Sequence, residues 1–74
     1  MHFDDELDTS GLHCPQVLLR AKKRLEQMKA GEILKIISTD PSSVLDFKVY
    51  AATQSHELMQ TLQQEKKFIF WVKK

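Results

Sequence analysis

The feature that most constrains the fold is the run Ile33-Leu34-Lys35-Ile36-Ile37, which is almost unbroken in its apolar character and rich in β-branched residues. Such a run leaves no solvated side, so residues 32–39 read as a central strand covered on both faces or nearly so. A central strand needs neighbours on each edge and elements packed over it. The rest of the chain must supply them.

Residues 15–29 supply one such element. Leu18, Ala21, Leu25 and Met28 recur at spacings of three and four, with Val17 flanking the same stripe, which predicts an amphipathic helix. Pro15 suits the first helical position, because its fixed φ fits and its missing N–H would have had no partner inside the helix; Cys14 is then the N-cap. Ala30-Gly31 supplies the stop. After the central strand the same grammar returns at Asp40-Pro41. Asp40 is placed to accept a hydrogen bond from an orphan N–H, and Pro41 to take the first turn of a second helix whose inner face carries Val44, Phe47 and Ala51.

The two ends of the chain read as strands. Residues 67–73 alternate Phe68, Phe70 and Val72 against Ile69 and Trp71. Residues 3–8 place Phe3, Asp5 and Leu7 on one side, and their acidic neighbours suit a sheet edge. From residue 54 to 65 the spacing is ambiguous: Leu58, Met59 and Leu62 fit a helix, whereas Leu58, Gln60 and Leu62 fit alternation. The order strand, helix, strand, helix, undecided, strand predicts an α/β domain of two layers.

Length and composition narrow the class. The 74 residues make one domain, 1–74, with a small core, and 42% hydrophobic with 28% charged residues argues for a folded chain. A single cysteine makes no internal disulfide, which favours a reducing compartment. Asp4, Asp5, Glu6 and Asp8 near the start are the opposite of a secretory signal, and no stretch approaches a membrane span, so a cytoplasmic location is expected. The net charge of +1 hides an uneven layout: five of eleven Lys and Arg fall between Arg20 and Lys29, and four of ten acids precede Thr9. Asymmetry of this kind steers charged partners. No aromatic residue is interleaved with Arg20, Lys22, Lys23 and Arg24, so nucleic-acid binding is not expected.

The segment Leu7-Asp8-Thr9-Ser10-Gly11-Leu12-His13-Cys14-Pro15 resembles the opening signature of the TusA/SirA family of small sulfur-carrier proteins: Leu-Asp, two residues, Gly-Leu, one residue, Cys-Pro. Asp40, Pro41 and Asp46 match the family's second mark. The resemblance covers essentially the whole chain. It departs at Val17, where the family usually has a second proline, and at Ser55, where a glycine often precedes the histidine. The resemblance implies that the ambiguous segment is a strand over about residues 56–64 paired with the last strand. The fold is then β-α-β-α-β-β, a two-layer sandwich with both helices on one face of a four-stranded mixed sheet.

It also implies a chemistry centred on Cys14. A sulfur carrier attacks a donor persulfide, holds the sulfur as Cys–S–SH and yields it to the next nucleophile. A second thiol nearby would expel the cargo by closing a disulfide, so the absence of Cys-x-x-Cys agrees with a carrier and argues against a thioredoxin-like oxidoreductase. At a helix start the unpaired N–H groups, those of Gln16 and Val17 nearest, favour a thiolate. Most lone cysteines are small buried residues; one in a Gly-Leu-His-Cys-Pro turn, off the Leu18, Ala21, Leu25 stripe, is placed for reaction.

Partner-binding residues are then expected to be His13, Pro15, Leu19, Arg20, Lys23 and Arg24, the basic ones facing away from the apolar stripe. His13, Cys14 and His56 do not make a zinc set, and neither metal nor organic cofactor is expected. The expected partners are a cysteine desulfurase or rhodanese-type sulfur donor and a downstream acceptor protein, for instance in tRNA thiolation. A non-catalytic regulatory or protein-interaction domain on the same fold is the alternative.

Overall fold

A computed structural model describes residues 2–13, 15–53 and 56–74. The element order is β1 (Asp5–Asp8), α1 (Gln16–Gln27), β2 (Ile33–Ser38), α2 (Ser43–Thr53), β3 (Glu57–Gln64) and β4 (Lys67–Lys73). The strands form one mixed sheet in the order β1-β2-β4-β3, with β1 and β2 parallel and the other pairs antiparallel. The segment left open by its spacing is therefore a strand. It joins β4 through a tight turn at Glu65, the one described non-glycine residue with positive φ, at 54°.

β2 is central in the sheet, as its composition predicts, but only one of its faces is closed. Leu34, Ile36 and Ser38 are buried, whereas Ile33, Lys35 and Ile37 are half-exposed. Both helices lie on one face: Val17, Ala21 and Leu25 of α1 and Phe47 and Tyr50 of α2 form one cluster with Leu34 and Ile36 of β2 and Phe68, Phe70 and Val72 of β4. Phe47 and Phe70 meet with ring centroids 4.8 Å apart. Each fully buried side chain of this size contributes about 1.5–3 kcal/mol over leaving it exposed. On the other face, no helix or strand among the described residues covers the sheet. There Trp71 is buried among its neighbours with its Nε1 unpaired among the described residues, and the Lys35 ammonium lies between the Trp71 and Phe3 rings.

Several local boundaries differ from expectation. β1 starts at Asp5, and Phe3 packs on Lys35 instead of sharing a side with Leu7. α1 ends at Gln27, two residues short of residue 29, because the Glu32 carboxylate takes the Lys29 amide and Lys74 reaches the Glu26 and Met28 carbonyls. Its buried stripe is Val17, Ala21 and Leu25, with Leu18 and Met28 only partly covered. Val17, at 1% exposure, is thus the first anchor of α1 in the core.

Because β1, β2 and β3 run in one direction and each helix returns between two of them, α1 and α2 both begin at the same end of the sheet. In α/β sheets that end, beyond the carboxyl ends of the strands, is where ligands commonly bind.

Candidate functional site

At that end two strand-to-helix junctions lie side by side. In the first, the Asp8 carboxylate accepts the Ser10 amide at 2.9 Å and the Ser10 hydroxyl at 2.6 Å. These two bonds, the hydroxyl first, hold the Asp8 carboxyl below its ordinary value of 3.8. Gly11 then adopts φ +84°, a region open to glycine without penalty. The Leu12 amide bonds the Thr9 carbonyl at 3.0 Å, and His13 is exposed.

Cys14 follows, and its expected role as N-cap lies outside the described residues. Helix α1 starts at Gln16, with Pro15 as the flanking cap at φ −94° and ψ 7°, one residue outside the position expected for it. The Gln16 amide donates to the His13 carbonyl at 2.7 Å, so it is not the free donor to a sulfur that the sequence suggested. No acidic residue stands in the first turn of α1, and no side chain among the described residues caps it. The positive end of this helix keeps its attraction for an anion.

In the second junction the Asp40 carboxylate accepts the Ser42 amide at 3.1 Å and the Ser42 hydroxyl at 2.9 Å. The Asp40 carboxylate thus holds the turn before α2 instead of a helical N–H, and Pro41, expected in the first turn, lies two residues ahead of the helix. Ser43 opens the helix, and its amide and hydroxyl both donate to the Asp40 carbonyl, at 3.1 and 2.6 Å. Asp46 stands in the first turn of α2 and offsets its dipole. A side chain joins the two junctions: Thr39 Oγ1 accepts the Gly11 amide at 2.9 Å.

Along α1 the structure brings most of the expected partner residues together. Leu19, Arg20, Lys23 and Arg24 line an open groove of about 500 Å³ with Leu7 and Gln27. Leu19 is 58% exposed, unusual for a leucine on a helix that has a core face. Arg24 differs from its neighbours. It is half-buried and tied to Asp5 of β1 at 2.7 Å, a bond that draws the Asp5 carboxyl below its ordinary value, so part of its charge is spent within the molecule. Arg20 and Lys23 are exposed, and no ion pair engages them among the described residues. His13 and Pro15 are exposed but do not line the groove. Leu7 and Gln27 were not foreseen; the groove forms only once β1 is laid beside α1, which no local pattern encodes.

No helix among the described residues is long and apolar enough to cross a membrane.

Comparison with known proteins agrees with this geometry. The family described as sulfurtransferase TusA matches residues 5–74. A sulfur carrier protein TusA of Allochromatium vinosum is 50% identical over 72 residues, which cover 97% of this chain and 95% of that protein. One of the same name from Pseudomonas syringae pv. syringae is 35% identical over 71 residues, covering 96% and 84%. A third, from Pseudomonas fluorescens, is 31% identical over the whole chain and 89% of its own length. With the signature loop, the β-α-β-α-β-β sandwich and these matches in agreement, the chain belongs to the TusA family.

Proposed function

We propose that this protein carries sulfur as a persulfide on Cys14, taking it from a cysteine desulfurase or rhodanese-type donor and passing it to an acceptor protein, as in tRNA thiolation or related sulfur metabolism. The observation that carries the reading is the start of α1. The chain's single cysteine stands two residues before the first residue of a helix whose positive end has, among the described residues, neither a capping side chain nor an acidic residue in its first turn.

In the first step the Cys14 thiolate attacks the outer sulfur of the donor's Cys–S–SH. The donor's S–S bond breaks, its cysteine leaves as a thiolate, and Cys14–S–SH forms with no external oxidant. The second step repeats this exchange with the acceptor's nucleophile attacking the outer sulfur on Cys14. A helix N-terminus favours both the attacking thiolate and the persulfide anion.

Docking falls to the surface beside the thiol. His13 and Pro15 flank it in sequence, while Leu19, Arg20 and Lys23 offer an apolar contact beside two exposed cations that no ion pair engages among the described residues, a match for an acidic partner surface. Arg24 contributes chiefly by holding α1 against β1. The protein needs no resident metal or organic cofactor for this exchange, and the groove lacks the aromatic platform that a nucleic acid would use.

The test is direct. After incubation with a sulfur-loaded desulfurase or rhodanese, intact-mass spectrometry should find one added sulfur on Cys14, removed by a reducing thiol and absent from Cys14→Ser. A wild-type protein that takes up no sulfur would overturn the reading.

A further inference from the structure

Between Thr9 and Gln16 the described residues belong to no helix or strand, yet this segment must present the thiol to two partners in turn. The bonds that shape it are mostly local. Asp8 to Ser10, Leu12 to Thr9 and Gln16 to His13 each close over two or three residues. Such bonds fix the form of the loop but not its orientation on the body of the protein. Beyond Thr9, where the pairing of β1 with β2 ends, Leu12 packs against the core, and the Gly11 amide donates a hydrogen bond to Thr39 Oγ1, 28 residues away.

Thr39 stands on a stiff base. It follows Ser38, which is fully buried and whose hydroxyl accepts the Asp40 amide at 3.1 Å, and it precedes the closed turn that Asp40 makes with Ser42. Gly11, for its part, has the left-handed φ that sets its amide for this bond and that a side chain would strain.

We propose that Thr39 is a positioning residue for sulfur transfer: by accepting the Gly11 amide it locks the loop that ends in Cys14 onto the second helix junction and so sets the approach of the thiolate. This rests on the carrier reading of Cys14. Attack on a persulfide sulfur depends on near-alignment, and a misplacement of about 1 Å costs on the order of a hundredfold in rate. The bond to Gly11 is exposed, so water replaces it in the folded state at little cost in stability. Thr39 therefore matters for the placement of the loop more than for the fold.

Thr39→Val keeps the branched shape and removes the acceptor, whereas Thr39→Ser keeps the acceptor. Two rates are measured on each folded protein: alkylation of Cys14 by iodoacetamide as a function of pH, and sulfur loading from a persulfide donor. Thr39→Val should load about tenfold more slowly. Its alkylation midpoint should shift from that of the wild type, since the loop leading to Cys14 is held less firmly. Thr39→Ser should restore both. Wild-type rates and midpoint in Thr39→Val, or a Thr39→Ser protein as impaired as Thr39→Val, would overturn the assignment. Alkylation needs no sulfur donor, so its profile decides on Thr39 even where the wild type takes up no sulfur. Amide exchange gives a check that needs no variant to fold: the Gly11 N–H should be protected in the wild type, and an unprotected amide would also overturn it.

Discussion

The two strand-to-helix junctions begin with the same device and end differently. In each, an aspartate two residues before a serine accepts both the amide and the hydroxyl of that serine, Asp8 with Ser10 and Asp40 with Ser42. This is the turn that Asp and Ser favour. After Ser42 the helix starts at once, with Asp46 in its first turn to meet the dipole. After Ser10, five further residues, Gly11 to Pro15, intervene before α1, and no acid meets its dipole. One junction is finished by its own side chains. The other is extended and left electrostatically open where the cysteine falls, and the finished junction lends it Thr39 as support.

The largest effect that would break this comparison is at the extended junction. Cys14→Ser should abolish sulfur loading while leaving the melting temperature within a few degrees of wild type, read by mass spectrometry and thermal unfolding. A serine variant that loaded sulfur would put the reactive group elsewhere.

Next in size is Val17→Ala, which empties space beneath the first turn of α1. Val17 is 1% exposed, so loss of two methyl groups should lower stability by about 2 kcal/mol in urea unfolding, roughly 8–16 °C in a domain of this size. A change below about 0.5 kcal/mol would show that the first turn is not anchored as its burial indicates.

Asp40→Ala should cost about 1 kcal/mol, because it frees the Ser42 amide and hydroxyl at the finished junction, yet its loading rate should stay within about twofold of wild type. Asp8→Ala should do the reverse, slowing loading more than it lowers the melting temperature. Equal and parallel effects of the two substitutions would erase the distinction between the junctions.

The smallest effect is on acid sensitivity. Asp8 has its folded value drawn below 3.8, chiefly by the Ser10 hydroxyl and then by the Ser10 amide. Its ionised form is thus favoured by folding. The contribution is fully present above 3.8 and is lost as the pH falls below that toward the folded value. Asp4 and Asp5 shift the same way, held by the Ile33 amide and by Arg24 respectively. Urea unfolding as a function of pH should therefore lose stability in the acid limb, and Asp8→Asn should flatten that limb slightly. An unchanged acid limb in Asp8→Asn would mean that the turn at Asp8 is not formed as described.

Sequence patterning sufficed for elements whose physics is local. The amphipathic period of α1 and the alternation of Phe68, Phe70 and Val72 against Ile69 and Trp71 are readable from neighbours along the chain, and both elements are present; the Asp-Pro pair also announces the second helix, which starts two residues later, at Ser43. The signature ending in Cys14-Pro15 pointed to the chemistry through its family resemblance, since a lone cysteine is by itself more often a small buried residue. Val17 reads from sequence as a departure from the usual proline. In the structure it is a core residue, and its apolar character is what the position requires.

What the chain alone left open depended on contacts between distant segments. Residues 57–64 fit helix and strand equally until β4 offered a partner, and family likeness rather than spacing pointed to the strand. The central run 33–37 promised cover on both faces, but the two helices pack on the same side, so only alternate residues are closed in. Arg24 looked like its neighbours Arg20 and Lys23 until β1 brought Asp5 within reach. The same holds for Thr39. Nothing in its local sequence marks it, because a hydrogen bond across 28 residues exists only once the sheet has set the two junctions side by side. The cysteine and its helix were fixed by local sequence; the support that aims the loop was decided by tertiary structure, since orientation on a rigid body requires a contact from outside the loop itself.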